Sequence, residues 1–493
     1  LLSDPHHYDR GYCVDLVQLR GFLGATQEDL FDALALEADG STRRAFLARL
    51  QGEISKRGTI DVLRHGVKHG PHQIDLFYGT PSPDNEKAVE LFARNRFSVT
   101  RQLRYSADET QLALDICLFV NGLPVATFEL KNSLTKQTVA DAVEQYVRDR
   151  DPREKLFELG RCVAHFAVDD AEVRFCTHLN AKRSWFLPFN RGWNDGAGNP
   201  PNPHGLKTDY LWKDMLTPAG LTDILENYAQ VVEVKHPKTG KKKRTQVFPR
   251  YHQLDVVRQA LADVRAHGVG RRYLIQHSAG SGKSNSIAWL AHQLIGLAKD
   301  GATVFDSILV VTDRRILDQQ IKDTIKQFAQ VGATVGHAEH SGDLRKFIAE
   351  GKKIIISTVQ KFPFILDENM ISVQAILRGY ADGAMEAINL KVARIGGLTR
   401  AREVRDLCET LGISMTIEDT MGGDIVSSAV AHLVASTRPE FLFTATNMSA
   451  WITDRFAKGA PEVVQGRSHV PTGPGLGIEV DGEWLGEPLF SVS

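Results

Sequence analysis

The spacing of hydrophobic and polar positions changes several times along the chain. Residues 1–60 have a helical pattern with mixed charge, whereas residues 74–130 follow the period of β-strands. The predicted strands are Ile74–Tyr78, Phe97–Tyr105, Leu112–Val120 and Pro124–Leu130, and a helix is predicted at Val139–Asp149. Residues 186–210 are rich in Gly, Asn and Pro, which is typical of loops.

The second half of the chain alternates strands with helices from Phe248 to about Pro363, and the alternation continues beyond Asn369. This order is typical of a parallel sheet, so the predicted fold class is α/β. The predicted elements are a strand at 273–276, a helix at 287–297, strands at 308–315 and 354–361, a helix at 373–382 and a strand at 387–390. Before them, residues 235–244 contain six Lys or Arg, and we expect an exposed linker there rather than a specific DNA contact.

Length, net charge and cysteine content indicate the general class of protein. The chain has 493 residues, enough for about three domains. Its net charge of −1 means that any DNA-binding surface must be a local patch. The five cysteines are scattered, which favours reduced thiols in the cytoplasm. We expect no membrane span, since no apolar run approaches about 18 residues. We also expect no signal peptide.

Residues 276–284, QHSAGSGKS, carry a phosphate-binding loop made of Gly280, Ser281, Gly282, Lys283 and Ser284. Glycines let backbone N–H groups surround a polyphosphate, the lysine meets the β- and γ-phosphates, and the serine hydroxyl holds Mg²⁺. The predicted strand before the loop and helix after it fit this function, because they place the phosphate at a helix N-terminus. The loop therefore predicts binding of ATP with Mg²⁺.

A second set of polar residues is Asp115, Glu129 and Lys131, on two predicted strands joined by Asn121-Gly122, a hairpin signal. Alternation places Glu129 and Lys131 on one face, and a hairpin could bring Asp115 beside them. Two carboxylates could hold Mg²⁺, which polarises a phosphodiester, while the lysine orients water or stabilises developing charge. On spacing alone, ordinary surface residues are the more frequent explanation.

A catalytic interpretation of these residues is favoured by four longer stretches around them: KRGTIDVLRHGVKHG, RFSVTRQLRYS, LDICLFVNGLPVATFELKN and DAVEQYVRDRDP. They closely resemble the N-terminal PD-(D/E)xK nuclease domain of the restriction (R) subunit of type I restriction–modification enzymes. The resemblance implies that Asp115, Glu129 and Lys131 are catalytic and that the two carboxylates bind the metal. The family's Gln-x-x-x-Tyr helix motif is imperfect here, because Ala142 stands where glutamine is expected before Tyr146, and Gln145 is adjacent.

The same resemblance extends through FLPFN, GAGNPP and YLWKD to FPRYHQLDVVR and reaches about residue 366. Within it, Gln253 resembles the adenine-reading glutamine of superfamily 2 motors, although ordinary polarity at a helix start is the alternative. Arg314 and Lys361 are candidate phosphate contacts, which position a duplex without reading its sequence. The implied partners are double-stranded DNA and the modification (methyltransferase) and specificity subunits of the same system.

The motor pattern breaks after STVQKF. Asp367-Glu368 resembles a Walker B pair but comes too early, and Thr444-Ala445-Thr446 imitates a later motor motif. A shortened motor that uses these residues is one alternative. The other is suggested by residues 383–437, which resemble the C-terminal half of a muconate-lactonizing or racemase-type enolase-superfamily barrel. That resemblance implies a metal ligand at Asp367 and a catalytic lysine at Lys391.

We therefore predict a chimera, joined near residues 364–368. Its parts are a PD-(D/E)xK nuclease domain (1–234), a basic linker (235–247), a truncated RecA-like P-loop motor lobe (248–366) and a partial (β/α) barrel (367–493). The predicted function is that of an ATP-dependent, Mg²⁺-dependent restriction subunit. The alternatives are an enolase-superfamily racemase, epimerase or cycloisomerase confined to the C-terminal part, and an inactive fusion product.

Overall fold

The computed structural model describes most of the chain, and contacts divide it into two compact units. The described residues are 1–82, 84–108, 111–235, 242–299, 301–312, 321–322, 324–325, 335–338, 343–358, 373–419, 423–446 and 453–486. The first unit is Leu1–His337 with Glu350–Ile356, and the second is Ala338–Ala349 with Ser357–Ser493. The predicted domain boundaries at 234, 248 and 366 stay predictions.

The first unit is built around a mixed sheet flanked by helices. Its α-helices are α1 (Leu16–Thr26), α2 (Glu28–Ala33), α3 (Ser41–Arg57), α4 (Thr59–His65), α5 (Glu86–Ala93), α6 (Val139–Arg148), α7 (Pro218–Asp223), α8 (Tyr251–His267) and α9 (Lys283–Ile295). Short 3₁₀ turns lie at Pro5–His7, Ser133–Thr135 and Lys155–Phe157, and π-helical turns at Leu211–Met215 and Ile224–Tyr228.

The strands that begin in this unit are β1 (Leu2–Ser3), β2 (Tyr8–Asp9), β3 (Val14–Asp15), β4 (Val67–His69), β5 (His72–Ile74), β6 (Phe97–Arg104), β7 (Ala113–Val120), β8 (Leu123–Leu130), β9 (Ala164–Val168), β10 (Val173–Cys176), β11 (Leu187–Pro188), β12 (Gln230–Lys235), β13 (Lys242–Val247), β14 (Ala298–Lys299), β15 (Ala302–Thr303), β16 (Ile308–Thr312), β17 (Val335–His337) and β18 (Ile354–Thr358), whose last two residues are assigned to the second unit. The main sheet has seven strands in the order β1-β6-β7-β8-β9-β10-β11. Strands β6, β7 and β8 pair antiparallel, and β8 pairs parallel with β9.

The predictions for strands β6, β7 and β8 and for helix α6 are confirmed to within a residue or two. The predicted strand at Ile74–Tyr78 is wrong, because only Ile74 belongs to a strand. The backbone of Tyr78 forms hydrogen bonds with a side chain and not with a neighbouring strand. The Tyr78 N–H donates to Asn95 Oδ1 at 3.2 Å, and Asn95 Nδ2 donates to the Tyr78 carbonyl at 2.6 Å. A side chain that captures the backbone in this way gives the chain an alternative to sheet pairing.

One hydrophobic core runs from the main sheet into helices α8 and α9. Phe248, Tyr251 and Leu254 belong to the same buried cluster as the sheet residues Phe128 and Phe166. The indole of Trp289, on α9, is also in this cluster, and its Nε1 donates to the carbonyl of Tyr228 at 3.0 Å. The region predicted as the start of the motor lobe therefore shares its core with the predicted nuclease domain.

Within the basic stretch predicted as a linker, the described residues, 235 and 242–247, belong to two paired strands. Strands β12 and β13 pair antiparallel from Gln230↔Val247 to Lys235↔Lys242. Gln246 anchors these two strands, since its Nε2 donates to the carbonyls of Cys162 and Val163, each at 2.7 Å. These strands were not predicted, because a run of cationic residues has no alternation of apolar and polar positions.

The predicted strand before the phosphate loop is also wrong. Residues 273–276 are in no strand, and Leu274 is 94% exposed. The described sheet of this region has three strands in the order β16-β18-β17, and residues 273–276 pair with none of them. A parallel strand is stable when both of its faces are covered, and the part of the chain that is described supplies no ladder partner for residues 273–276. The predicted strands at 308–315 and 354–361 are confirmed as β16 and β18, within the part of those ranges that is described.

The second unit contains helices α10 (Asp343–Ala349), α11 (Val373–Ala381), α12 (Leu398–Leu411), α13 (Gly423–Ala435) and α14 (Gly482–Leu485). Its strands are β19 (Ala387–Lys391), β20 (Ser414–Glu418), β21 (Leu442–Ala445), β22 (Ala457–Lys458), β23 (Val463–Val464), β24 (Arg467–Ser468) and β25 (Glu479–Val480). Strands β19, β20 and β21 form a parallel sheet, and α12 and α13 pack on β20. This is the βα alternation predicted for a barrel fragment.

Residues 444–446 of the alternative motor motif lie at the end of β21, and Thr444 pairs with Thr416 of β20. In the part of the chain that is described, no helix is long and apolar enough to cross a membrane.

Candidate nuclease and nucleotide sites

Strands β6, β7 and β8 bring the predicted carboxylates together. The β7–β8 hairpin turns at Asn121 and Gly122, with φ of +51° and +83°, as the Asn-Gly signal predicts. Ile116 pairs with Phe128, and the register continued by one residue puts Asp115 opposite Glu129. Directly opposite residues share a sheet face, so the two carboxylates face the same side.

Asp115 is half-buried and is held through both oxygens. Its Oδ2 accepts the backbone N–H of Leu130 at 2.8 Å, and its Oδ1 accepts Nε2 of Gln102 at 3.1 Å. Gln102 belongs to β6, between residues that pair with Leu114 and Ile116 on β7. One backbone and one side-chain donor therefore fix the orientation of this carboxylate.

Glu129 is fully buried and its two oxygens differ. Its Oε1 lies 2.7 Å from both Nε and Nη2 of Arg150, whereas its Oε2 has no hydrogen-bond partner. Burial raises the pKa of Glu129 to about 7, although the Arg150 guanidinium acts against this rise and the nearby Asp115 carboxylate adds to it. An unpartnered, buried carboxylate oxygen is costly and is typical of a functional site.

Lys131 follows β8 and points to helix α6. Its Nζ donates to Gln145 Oε1 at 2.5 Å, so Gln145 holds the lysine, and Ala142, at the position expected for glutamine, is buried. Tyr146 is buried beside it, and its hydroxyl shares a 2.8 Å hydrogen bond with Thr127 Oγ1. Helix α6 thus contacts Lys131 through Gln145, the residue next to Tyr146 of the expected motif.

The donor set fits one Mg²⁺ ion. Among the described residues, no group of three or more His, Cys, Asp or Glu could hold a metal. Mg²⁺ does not require such a group, because it is usually bound by one or two carboxylates together with water and substrate phosphate. Asp115 supplies one carboxylate, and the free Oε2 of Glu129 supplies an oxygen that lacks a partner.

The phosphate loop leads directly into helix α9. Gly280 and Gly282 have φ of +73° and +82°, a conformation that favours glycine. Gly282 is the N-cap of α9 and no side chain caps this end, so helix N–H groups are available to a phosphate. Lys283 Nζ donates to the carbonyls of His277 and Ser278 at 3.0 and 3.1 Å, and Ser284 is in the first turn of the helix.

Gln253 packs beneath this loop. Its Nε2 donates to the carbonyls of Ser281 and Gly282 at 3.1 and 2.9 Å, and its Oε1 accepts the N–H of Arg250 at 2.9 Å. Both ends of the amide therefore contact the backbone around the loop. The ring of His252 lies 4.9 Å from that of His277, the residue at the usual first glycine position.

In the second unit, Lys391 ends β19 and pairs in register with Glu418 at the end of β20. Lys391 Nζ lies 2.9 Å from Glu418 Oε1, which also accepts Nδ2 of Asn389 at 2.7 Å. The Asn389 amide and the Lys391 ammonium lower the pKa of Glu418. Asp367, the predicted metal ligand, lies outside the described residues, as do Glu368, Arg314 and Lys361.

Sequence analysis missed Arg150 and Gln102. Arg150 lies in the polar run VRDRDP, which has the composition of an exposed turn, and a contact with a residue 21 positions earlier has no local signal. Gln102 has an ordinary position in a strand pattern. Its φ of +49°, rare for a residue with a side chain, appears only in the structure.

Three family descriptions match separate parts of the chain. "Type I restriction enzyme R protein N terminus" matches residues 51–184, "SWI2/SNF2 ATPase" matches 252–382, and "Enolase C-terminal domain-like" matches 349–484. The last two overlap over 349–382, the stretch that includes the predicted joint at 364–368.

Curated relatives divide in the same way. The type I restriction enzyme HindI endonuclease subunit of Haemophilus influenzae is 27% identical over 295 residues, which are 57% of this chain and 26% of that protein. The cis-3-hydroxy-L-proline dehydratase of Roseibium aggregatum is 50% identical over 131 residues, which are 27% of this chain and 36% of that protein. The N-succinylamino acid racemase of Amycolatopsis is 34% identical over 131 residues, which are 25% and 34% of the two chains.

The chain thus spans between about a quarter and about a third of the length of these relatives. The N-terminal region of the chain matches the R subunit of type I restriction enzymes and its C-terminal region matches the enolase superfamily, as expected of a chimera.

Proposed function

We propose that this chain acts as the restriction subunit of a type I restriction–modification system and hydrolyses phosphodiester bonds of double-stranded DNA with Mg²⁺. The observation that supports this most is the placement of Asp115, Glu129 and Lys131. A hairpin puts the two carboxylates opposite each other, and the lysine follows on the same strand face. This is the PD-(D/E)xK arrangement in terms of residue types and order.

Asp115 and Glu129 would hold Mg²⁺, which polarises the phosphodiester and lowers the pKa of an attacking water when it is bound. Lys131 supplies a cation next to the carboxylates, and Gln145 fixes the direction of its ammonium through the 2.5 Å hydrogen bond. A fixed ammonium can orient water or stabilise charge that develops on the phosphate oxygens.

ATP, with Mg²⁺, is the proposed ligand of the phosphate loop. The backbone N–H groups of Gly280, Ser281 and Gly282 would surround the phosphates, and the Ser281 N–H would exchange its 3.4 Å contact with the Ser278 carbonyl for the ligand. Lys283 would meet the phosphates and Ser284 would contact the metal. Gln253 supports the loop from below. We do not propose translocation, because the stretch where a motor would continue is matched by the enolase family from residue 349 onwards.

The proposed partners are double-stranded DNA and the modification (methyltransferase) and specificity subunits of the same system. Target recognition is assigned to those subunits. This assignment rests on the similarity to a type I restriction endonuclease subunit and on the match to the R-protein N terminus. The cytoplasm is the proposed compartment, because such a complex would meet DNA there.

Plasmid cleavage tests the proposal. The full chain is combined with its modification and specificity subunits, Mg²⁺ and ATP, and compared with Lys131→Ala and with Lys87→Ala, an exposed lysine on α5. Loss of the site lysine should lower the cleavage rate at least about a hundredfold, as expected for a donor aimed at developing charge. Equal rates for Lys131→Ala and the unaltered chain would exclude this site.

The alternative function is confined to the C-terminal unit. An enolase-type reaction would require Lys391 as a base and Asp367 as a metal ligand. Lys391 is instead paired with Glu418, and three parallel strands of a barrel are present among the described residues. We expect no exchange of solvent deuterium into an N-succinylamino acid, followed by NMR. Exchange that depends on Lys391 would favour the alternative.

A further inference from the structure

Arg150 is buried at the edge of the proposed nuclease site. It follows α6 and only 5% of it is exposed. Besides Glu129, its Nη2 donates to the carbonyl of Ala113 at 2.9 Å, and its guanidinium lies 5.6 Å from the centre of the Tyr105 ring. Contacts with the ends of three neighbouring strands therefore hold this side chain in one place.

The guanidinium contacts the Glu129 carboxylate on one side only. Both of its near nitrogens meet Oε1, and Oε2 is left without a donor although it is buried. In a two-pronged arginine–carboxylate pair, each oxygen would receive one nitrogen. The one-sided contact occupies a single oxygen and leaves the other available for a further ligand.

We propose that Arg150 is a positioning residue that restricts Glu129 to one metal-binding oxygen, Oε2, and so makes the site selective for Mg²⁺ over Ca²⁺. This inference rests on the proposed function. Ca²⁺ takes six to eight oxygens and often binds a carboxylate through both, whereas Mg²⁺ is satisfied by single oxygens in an octahedral shell. A carboxylate with one oxygen permanently occupied favours the smaller ion.

Direct metal binding tests the inference. Metal-free full chain, without nucleotide, is titrated with Mg²⁺ and with Ca²⁺ by calorimetry, and heat that persists in Glu129→Gln is subtracted. The measured quantity is the ratio of the two dissociation constants. Arg150→Ala should shift this ratio towards Ca²⁺ by about tenfold, because Glu129 can then offer both oxygens. Arg150→Lys keeps a cation with a single donor nitrogen, and its ratio should lie between those of the unaltered chain and Arg150→Ala.

Arg148→Ala is the matched control, since Arg148 is an exposed arginine two positions away that pairs with Glu144. It should leave the ratio unchanged. A purely structural role for Arg150 would weaken both ions alike, so an unaltered ratio in Arg150→Ala and Arg150→Lys overturns the inference. If Arg150→Ala does not fold, Arg150→Lys decides alone.

Failure of the proposed function gives a different result. If the unaltered chain binds neither ion in a Glu129-dependent way, the metal site itself is absent. If it binds both and Arg150 has no effect on their ratio, the metal site stands and only the role of Arg150 is wrong.

Discussion

Gln102 donates to Asp115 from a left-handed backbone. Its Nε2 lies 3.1 Å from Asp115 Oδ1, and its φ is +49° within strand β6. A left-handed residue with a side chain costs about 1–2 kcal/mol, and such strain persists where the surrounding structure requires it. The neighbours of Gln102 keep their pairing with β7, so the strain is confined to the residue that contacts the carboxylate.

Gln102→Gly and Gln102→Ala should therefore differ in stability. Both variants lose the hydrogen bond to Asp115, but only glycine adopts positive φ without strain. We expect the glycine variant to have the larger free energy of unfolding, by about 1 kcal/mol, in urea denaturation. Both should cleave plasmid DNA more slowly than the unaltered chain. Equal free energies of unfolding for the alanine and glycine variants would show that the positive φ at residue 102 is not strained.

Gln145→Ala should slow cleavage without unfolding the chain. The Gln145 amide oxygen holds the Lys131 ammonium, and a hydrogen bond to a charged group is worth about 1.5–3 kcal/mol. The expected loss in rate is about tenfold to a hundredfold, measured on plasmid DNA. Glu144→Ala, at the preceding exposed position of α6, is the control and should cleave normally. Equal cleavage rates for Gln145→Ala and Glu144→Ala would show that Gln145 has no role in the site.

Burial of Glu129 makes stability depend on pH in the metal-free chain. The pKa of Glu129 is raised from 4.5 to about 7 by burial, so between these values the folded state holds a proton that the unfolded state releases. The free energy of unfolding should fall as pH rises from about 4.5 to 7 and then level off. Comparison with Glu129→Gln in EDTA isolates this effect. A difference between the two proteins that does not change with pH would exclude the raised pKa.

Gln253→Ala should weaken ATP and GTP binding equally. The Gln253 amide is engaged with the carbonyls of Ser281 and Gly282, which places it under the loop. Removal of this support loosens the phosphate contacts that both nucleotides share. Binding can be followed by calorimetry with Mg²⁺, and Gln259→Ala, on an outer face of the same helix, is the control. A selective loss of ATP binding would instead establish adenine reading.

Local signals predicted the strand core of the site. Asn121-Gly122 specified the hairpin because positive φ is a property of those residue types, and alternation along β8 then placed Glu129 and Lys131 on one face. The phosphate loop was recognisable for the same reason, since Gly280 and Gly282 adopt the backbone that its motif requires.

Side-chain contacts between distant elements were not predictable from one sequence. Arg150 meets Glu129, and Gln145 meets Lys131, through the packing of α6 and the residues after it on the sheet. The strand predicted at 273–276 failed for a related reason: its composition suits a buried strand, but a ladder partner is a property of the whole sheet. The joint between two families was found by resemblance, because βα alternation is the same on both sides of it.

The indole of Trp289 lies in the core of the main sheet, although it belongs to the helix that begins at the phosphate loop. Shortening the gene to the predicted nuclease domain would leave a hole where this side chain packs, at a cost of about 3–5 kcal/mol for a lost tryptophan. By linkage, a triphosphate that binds only the native loop also raises the melting temperature of the carboxylate-bearing sheet. A truncation between the predicted nuclease domain and the predicted motor lobe would therefore cut through one shared core and not between two separate ones.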